Sequence, residues 1–294
     1  NMCHPYTKSL FNAATHKVIL PEYIPAPPLL SVESVTRTYN LPRVTVFGSR
    51  PTFQALTGVS FHISHGERVG LVGESGCGKS TLTRAILGLE EVQEGQILLD
   101  GQPVFTKKSL NLPARRKMQV VFQDPYSSFN PRHRVDRLIA EPLHVLNNSI
   151  VGKYREKAVS KALEDVGLTP EDGTKYIHEF SGGQRQRIAI ARALIIPPDL
   201  IVFDEAVSAL DVSVRAQILD LLADLSAKYN LTYLFISHDL NVVRTITDRV
   251  LVMQHGEIVE QGETEQVFTA PNHPYTQELI AAAPVLPDLQ QMKG

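Results

Sequence analysis

The stretch Leu71–Thr81 reads LVGESGCGKST, and it joins a short apolar run to a segment of helical character. From Gly73 to Ser80 it fits the pattern G-x-x-x-x-G-K-S without a gap. Glycines let the backbone curl so that successive N–H groups face one centre, and the following helix points its positive dipole end at the same place. The stretch therefore predicts a loop that cradles phosphate groups.

The side chains of this loop predict how a nucleotide and a metal ion are held. Lys79 supplies a positive charge for the β- and γ-phosphates, and Ser80 offers a hydroxyl ligand to Mg²⁺. A glycine-rich turn is the alternative interpretation, and the pattern alone does not choose between a kinase, a GTPase and a motor. The candidate nucleotide-binding residues of the loop are Gly73, Ser75, Gly76, Cys77, Gly78, Lys79, Ser80 and Thr81.

Apolar runs of strand length alternate with helical segments along the chain. Residues 200–204 (LIVFD) and 233–237 (YLFIS) are continuous apolar runs that end in polar residues, as parallel strands covered on both faces do. Between them, residues 213–230 carry apolar residues every three to four positions, which predicts an amphipathic helix. This order predicts an α/β sheet with right-handed crossovers. Residues 135–180 show helical segments without a strand and predict a helical insertion.

Polar residues follow three strand-like runs. Asp204 can hold Mg²⁺, directly or through water, and Glu205 can polarise a water for attack on the γ-phosphate, although an acidic helix cap is the alternative. His238, in FISHD, can hydrogen-bond the γ-phosphate, although a lone histidine after a strand is more often a loop residue. Gln123, in VVFQDP, can reach Mg²⁺ or the attacking water, but an isolated glutamine is uninformative.

Composition limits the class of partner. The chain has 294 residues, is 43% hydrophobic and carries a formal net charge of -2, so it has no general electrostatic attraction to nucleic acid. No apolar run approaches the ~20 residues that cross a bilayer, and no secretory signal is recognised. Two cysteines, Cys3 and Cys77, make no metal-ligand pattern and suit a reducing compartment. We therefore expect a cytoplasmic protein that reaches a membrane only through a protein partner.

A second anion-receiving helix start is predicted at residues 180–187, FSGGQRQR. Ser181, Gly182 and Gly183 begin the helical segment GQRQRIAIARAL. The chain thus has two phosphate-binding helix ends but only one set of candidate catalytic acids.

These motifs resemble the nucleotide-binding domain of ATP-binding cassette (ABC) proteins. The resemblance covers residues 29–284, in the order phosphate loop, FQDP, FSGGQ, FDEAVSALD and ISHD. It implies an α/β P-loop NTPase core with a parallel sheet, an antiparallel β subdomain and a helical insertion. Phe180 stands where leucine is usual, and DEAVSALD replaces the common DEPTSALD, but neither departure removes a chemical group from the site.

The resemblance also implies roles for individual residues. In this family two domains face head to tail, so that Ser181, Gly182, Gly183 and Gln184 contact the ATP held by the phosphate loop of the partner. Glu205 is implied as catalytic base, His238 as switch histidine and Asp211 as the acid of the D-loop. The implied Mg²⁺ ligands are Ser80, Gln123 and Asp204. Tyr39 is expected to stack on adenine, with Phe47 as a rival. Glu205, His238, Gln123 and Lys79 form the candidate catalytic set.

Several stretches are similar to ATPases of bacterial peptide, opine and nickel importers, including VFQDPYSSFNPR and the closing FTAPNHPYTQELIAAAP. The similarity implies transmembrane permease subunits, a second ATPase domain (as homodimer or heterodimer) and, indirectly, an extracytoplasmic solute-binding protein, at the cytoplasmic face of the membrane. Residues 126–132 are expected to receive a short permease helix. We expect no nucleic-acid partner, and no iron–sulfur cluster because the cysteine-rich extension of some relatives does not precede Gly294.

The phrase His-Pro-Tyr-Thr occurs twice, at residues 4–7 and 273–276. It belongs near the end of such an ATPase, and residues 21–28, which contain four prolines, are typical of a linker. We therefore divide the chain into an arm (1–28), a nucleotide-binding domain (29–270) with helical subdomain at about 125–185, and a tail (271–294). One hypothesis is that the arm is the tail of a preceding ATPase domain; a coincidental similarity is the alternative.

Two other functions remain open from the sequence. A soluble ABC ATPase acting on DNA or ribosomes is the main alternative, although such proteins usually insert coiled coils, zinc modules or basic patches. A nucleotide-sensing subunit without turnover is a third, against which Glu205 and His238 count. A further hypothesis places Cys77 within reach of thiol reagents, with ATP protecting it.

Overall fold

The computed structural model describes residues 18–42, 50–106, 109–124, 126–145 and 152–283. The first His-Pro-Tyr-Thr phrase and Phe47 lie outside these residues, so the preceding ATPase domain and the alternative adenine contact stay predictions. Among the described residues, no helix combines the length and the apolar character that crossing a bilayer requires.

Strands and helices follow one another in an α/β order. The strands are β1 (Pro28–Asn40), β2 (Thr52–Ser64), β3 (Arg68–Val72), β4 (Glu94–Leu99), β5 (Gln102–Pro103), β6 (Phe105–Thr106), β7 (Ser109–Leu110), β8 (Met118–Phe122), β9 (Leu200–Asp204), β10 (Tyr233–Ile236), β11 (Arg249–Gln254) and β12 (Glu257–Glu263). The α-helices are α1 (Lys79–Ile86), α2 (Leu112–Arg116), α3 (Val135–Ile139), α4 (Lys153–Asp165), α5 (Gly182–Leu194), α6 (Val212–Tyr229), α7 (Leu240–Ile246), α8 (Thr264–Thr269) and α9 (Pro274–Ala281).

The central sheet has the strand order β12-β11-β3-β10-β9-β8. Its strands pair in parallel from β11 to β8, and β12 joins the edge in antiparallel orientation. A second, antiparallel sheet has the order β2-β1-β4-β5. The parallel sheet, the antiparallel sheet and the helices confirm the predicted fold class.

The apolar runs of β9 and β10 serve two cores because side chains alternate across a strand. Phe203 and Phe235 enter the core shared with the helices, whereas Val202 and Leu234 enter the core between the two sheets. All four side chains are fully buried. Burial on both faces explains why these strands are continuously apolar rather than alternating.

The helical insertion is less regular than its sequence pattern predicts. The segment VDRLIAEPLHVL gives α3 and then a 3-10 turn, Glu141–Val145, rather than one α-helix. Pro142 explains the break, because it has no N–H to donate and its ring crowds the preceding turn. The insertion packs into the same core as the parallel sheet, through buried side chains that include Leu138, Leu163 and Phe180.

The described part of the arm lies against the domain without helix or strand before Pro28. Arg68 donates to the carbonyl of Pro21 at 2.5 Å, and the backbone N–H of His65 donates to the carbonyl of Pro27 at 3.1 Å. Arg68 also forms a two-pronged ion pair with Asp248. The contacts of Pro21 and Pro27 hold the arm near the amino-terminal ends of the parallel strands.

Candidate functional site

The phosphate loop runs from Gly73 to Gly78, between the end of β3 and the start of α1. Two of its glycines are required by close backbone approach. A Cβ on Gly73 (φ 153°) would lie 2.2 Å from the carbonyl oxygen of Met253, and one on Gly78 (φ 115°) would lie 2.5 Å from that of Ala55. Neither contact is possible for a side chain, so the curl of the loop depends on glycine at both positions.

Lys79 places its ammonium group inside the curve of this loop. Its Nζ donates to the carbonyls of Gly73 at 2.7 Å and Glu74 at 2.8 Å, and the side chain is buried. Ser80 and Thr81 follow in the first turn of α1, where orphan N–H groups and the helix dipole favour an anion. A fixed positive charge and a helix start therefore point to the same place.

Cys77 lies inside the loop with its thiol buried. The Sγ is 3.7 Å from the Lys79 ammonium. A thiol reagent can reach it only if the loop opens, so we expect modification to be slow. The thiol-reagent hypothesis stays a prediction.

Glu205 and His238 meet at the carboxyl ends of neighbouring strands. Asp204 of β9 pairs with Ile236 of β10, and the backbone N–H of Glu205 donates to the Ile236 carbonyl at 2.9 Å. The Glu205 Oε2 lies 3.4 Å from the Nδ1 of His238. Glu205 adopts φ 52°, which a side-chain-bearing residue rarely does, and such strained backbone is often found at functional sites.

Asp204 is a partly buried carboxyl at this edge. Burial raises the pKa of Asp204 and the neighbouring Glu205 adds to the rise, while the cations of Lys79 and Arg84 oppose it without cancelling it. A divalent cation at this position would favour the charged form. Gln123 follows Phe122, which pairs with Asp204 across β8 and β9, so its amide starts from the same sheet edge.

The segment FSGGQRQR (residues 180–187), called the signature segment below, is held by contacts within its own chain. Ser181 caps α5: the N–H of Gln184 donates to its hydroxyl at 3.4 Å, and the Oε1 of Gln184 accepts from the Ser181 N–H at 3.0 Å. A Cβ on Gly183 would lie 2.3 Å from Cγ1 of Val214, so α5 and α6 touch there. A Cβ on Gly182 would meet only Leu210, at 3.9 Å. Gly182 is therefore free of steric demand from the described part of this chain.

Asp211 and Tyr39 also have roles inside the domain. The Asp211 carboxylate caps α6 by accepting from the N–H groups of Ser213 and Val214, and these bonds lower the pKa of Asp211, with that of Val214 contributing most. The Arg37 guanidinium lies 4.8 Å from the centre of the Tyr39 ring, and the Tyr39 hydroxyl donates to Glu90. The assignment of Asp211 as D-loop acid in the nucleotide-binding set and the contact of Tyr39 with adenine remain predictions.

One residue near the loop has no role in the sequence interpretation. The backbone N–H of Glu74 donates to the hydroxyl of Tyr275 at 3.0 Å. The repeated His-Pro-Tyr-Thr phrase marks this segment as unusual, but about 200 residues separate the two partners and nothing in the local pattern joins them.

Comparisons with known proteins agree with this geometry. A family model described as ABC transporter matches residues 56–208, and a second, described as the C-terminal region of oligopeptide/dipeptide transporters, matches residues 259–294. The dipeptide transport ATP-binding protein DppF of Haemophilus influenzae is 46% identical over 266 residues, which are 90% of this chain and 81% of that protein. The oligopeptide transport ATP-binding protein OppF of Bacillus subtilis is 47% identical over 262 residues, covering 88% of this chain and 83% of that protein.

Two solved structures of ABC proteins are similar to this fold. The dimeric ATP-binding cassette MJ0796, in a post-hydrolysis state bound to ADP and Pi, superposes with a TM-score of 0.69 at 28% identity, over 80% of this chain and 99% of that one. The protein cbiO1 of Clostridium perfringens, part of the ABC transporter complex cbiONQ, gives a TM-score of 0.70 at 29% identity, over 83% of this chain and 91% of that one.

Proposed function

The chain belongs to the ABC transporter family and is an ABC-type ATPase, and we propose that it powers the import of peptides. The single observation that carries the cargo class is the 46–47% identity, over most of the chain, to dipeptide and oligopeptide transport ATP-binding proteins. The matching C-terminal region supports the same choice over opines and nickel. The transport names of these relatives favour an importer over the alternative, a soluble ATPase on DNA or ribosomes.

The phosphate loop binds ATP in this proposal. The N–H groups of the loop and of the first turn of α1 face the phosphates, and Lys79 neutralises part of their charge. Because the curl depends on Gly73 and Gly78 and the ammonium is already held by loop carbonyls, binding requires little reorganisation. Most of the catalysis is then positioning and electrostatic stabilisation.

Oxygen donors from the first turn of α1 and from the sheet edge would suit a magnesium ion. Ser80, Gln123 and Asp204 supply hydroxyl, amide and carboxylate oxygens, the ligand class that Mg²⁺ prefers when phosphates complete its shell. Burial raises the pKa of Asp204, and a cation held beside it would oppose this rise and favour the carboxylate. When bound, the ion neutralises charge on the phosphate oxygens.

Glu205 acts as general base in this mechanism. Its carboxylate accepts the proton of the attacking water, and the His238 imidazole at 3.4 Å keeps the carboxylate oriented. Both residues are supported by the strand pair β9–β10, which is buried on both faces.

A second cassette completes the site by supplying its signature segment. The similarity to a dimeric cassette supports this pairing. The exposed position of Gly182, at the start of α5, leaves it available to a neighbour. Each chain carries both a phosphate loop and a signature segment. In a head-to-tail pair, the phosphate loop of one chain therefore faces the signature segment of the other.

Gly182 and Gly183 offer a matched test of this pairing. We expect Gly182→Asp to fold normally, because a Cβ there meets only Leu210, but to lose about 100-fold in ATP hydrolysis, because a carboxylate would face the neighbour's phosphates. We expect Gly183→Ala to lower the free energy of unfolding by about 1–3 kcal/mol through the clash with Val214. Urea unfolding and phosphate release measure the two effects. Full ATPase activity in Gly182→Asp would exclude the pairing.

We also propose where the permease binds, at the cytoplasmic face of the membrane. A groove of about 520 Å³ is lined by Leu89, Leu112, Met118, Pro142 and Arg192, among others. Leu89 and Leu112 are 48% and 56% exposed. Arg192 donates to the carbonyl of Ser128 at 3.0 Å, which joins the groove to the predicted permease contact at residues 126–132. An apolar groove bordered by charged side chains suits an amphipathic helix.

The groove can be tested without touching the nucleotide site. We expect the pair Leu89→Glu and Leu112→Glu to keep the basal ATPase rate of the isolated chain and to lose co-purification with the permease, because two carboxylates would be buried in the contact. Tyr154→Glu is the matched control, since Tyr154 is 81% exposed and does not line the groove. Undiminished permease binding by the double variant would show that the helix binds elsewhere.

The cargo is tested in the assembled transporter. The chain is co-purified with the membrane subunits and binding protein encoded beside it, reconstituted in vesicles and supplied in turn with peptides, nickel and an opine. We expect peptides alone to stimulate ATP hydrolysis and to accumulate. Stimulation by nickel or by the opine instead would overturn the peptide assignment while leaving the ATPase assignment intact.

A further inference from the structure

The C-terminal helix α9 touches the phosphate loop through one hydrogen bond. The N–H of Glu74, the second residue of the loop, donates to the Tyr275 hydroxyl at 3.0 Å. The Tyr275 ring is 6% exposed and packs in the core that also contains Val72, the last residue of β3. A side chain from the tail, residues 271–294, therefore reaches the phosphate loop.

The segment before Tyr275 is anchored to β12. The Glu260 carboxylate accepts from the backbone N–H groups of Asn272 at 2.8 Å and His273 at 3.1 Å. Burial alone would raise the pKa of Glu260, but hydrogen bonds, of which that from the Asn272 N–H contributes most, outweigh it, so the pKa lies below its usual value and Glu260 is charged at neutral pH. The carboxylate thus fixes the start of α9 by charge-assisted bonds.

His273 and Pro274 define how α9 begins. The Nδ1 of His273 accepts from the N–H of Tyr275 at 3.2 Å and caps the helix, and Pro274 occupies its first turn. Proline suits that turn because its φ is already helical and the missing N–H has no partner there. Anchor, cap and proline together determine the direction in which the Tyr275 side chain leaves the helix.

The other backbone group of Glu74 is held as well. Its carbonyl accepts from the Lys79 ammonium at 2.8 Å, while its N–H donates to Tyr275. Both backbone polar groups of this loop residue therefore have fixed partners, one in α9 and one in the phosphate-binding lysine. A change in the position of Tyr275 would shift the carbonyl against which Lys79 is placed.

We propose that Tyr275 is a positioning residue for the phosphate loop, and that the Asn272–Tyr275 segment sets ATP affinity through Glu74. The proposal rests on the ATP-binding role described above, but not on the cargo. It gives each residue of the His-Pro-Tyr phrase a physical role, because histidine caps the helix, proline starts it and tyrosine holds the loop. Loss of the hydroxyl leaves the Glu74 N–H without its partner, so the loop adopts its binding conformation less often.

Tyr275→Phe in the full-length chain removes only the hydroxyl. We expect the Kd and the KM for ATP to rise about tenfold, while kcat changes by less than about twofold, because loop population affects binding and leaves Glu205 and His238 in place. Titration with a fluorescent ATP analogue and steady-state phosphate release give these constants.

Tyr233→Phe is the matched control. The Tyr233 hydroxyl donates to the carbonyl of Ile246 at 2.5 Å, and this tyrosine is fully buried at the start of β10, the strand end opposite to His238. It should lose a comparable amount of stability in urea, with the Kd for ATP unchanged. An equal rise in the Kd for ATP in Tyr233→Phe and Tyr275→Phe would mean that lost stability alone explains the weaker binding, and it would overturn the proposal.

Glu260→Ala tests the anchor and carries the experiment if Tyr275→Phe does not fold. It should also raise the Kd for ATP. The double variant Tyr275→Phe and Glu260→Ala should bind ATP no more weakly than the single variant with the higher Kd, because both changes act through the same contact. An unchanged Kd in Tyr275→Phe, or additive effects, would overturn the proposal. ATP binding by the chain does not require transport, so neither result bears on peptide import.

Discussion

Replacing Glu205 by glutamine is expected to lower the rate of ATP hydrolysis by about 100-fold or more while ATP still binds, since a general base typically contributes 10²–10⁴-fold. The amide cannot take the proton of the attacking water, yet it has nearly the same shape as the carboxylate. The backbone bond from Glu205 to Ile236 and the strained φ do not depend on the charge. The loss therefore falls on turnover rather than on folding.

The measurement combines phosphate release, ATP binding and size-exclusion chromatography. With hydrolysis blocked, saturating ATP should accumulate paired cassettes. Glu156→Gln is the matched control, because Glu156 is exposed on α4, in the helical insertion. Undiminished hydrolysis by Glu205→Gln would remove Glu205 from the mechanism, and the absence of paired cassettes would argue against a shared ATP site.

Replacing Lys79 by alanine should raise the Kd for ATP by about 100-fold or more, because charged hydrogen bonds contribute ~1.5–3 kcal/mol each. The substitution removes the cation that faces the phosphates. It also leaves the carbonyls of Gly73 and Glu74 without their present donor, so the loop loses an internal contact at the same time. Both effects weaken binding.

Calorimetric titration with ATP measures this change, and thermal unfolding reports the cost to the fold. Lys157→Ala serves as control, because this lysine is exposed on α4. Tight ATP binding by Lys79→Ala would mean that backbone N–H groups alone hold the phosphates.

The sequence predicts which residues lie at the carboxyl ends of the parallel strands, because this depends only on short-range patterns along the chain. Each parallel strand is a short apolar run, and each run ends in a polar residue, so Asp204, Glu205, Gln123 and His238 fall at strand ends before any topology is known. Parallel strands bring those ends to one edge. The structure adds the strand order, in which β10 separates β3 from β9.

Contacts between segments that are distant in the chain could not be predicted from the sequence, because no periodic pattern indicates them. The bond from Glu74 to Tyr275 is one, and the closeness of Gly183 to Val214 is another. The acidic helix cap is the alternative interpretation for Asp204 and Glu205, and the structure shows such a cap at Asp211, on α6. The Glu205 Oε2 lies 3.4 Å from the Nδ1 of His238, and the catalytic role of Glu205 stays a prediction.

The departures from the family pattern also have a structural explanation. Phe180, Ala206 and Val207 are all buried, so each contributes apolar packing instead of a group that reacts. Phe180 and Ala206 stand where leucine and proline are usual, and an exchange between apolar side chains there changes shape but not chemistry. Val207 stands where threonine is usual, so this exchange also replaces a hydroxyl by a methyl group.

The missing side chain at Gly183 has a mechanical consequence. Because Gly183 lets Val214 approach closely, the first turns of α5 and α6 pack directly against each other, with Ser181 capping one helix and Asp211 the other. In the proposed pair of cassettes, we expect displacement of one of these helix starts to displace the other. We accordingly expect the two helix starts to engage the neighbouring cassette in one step.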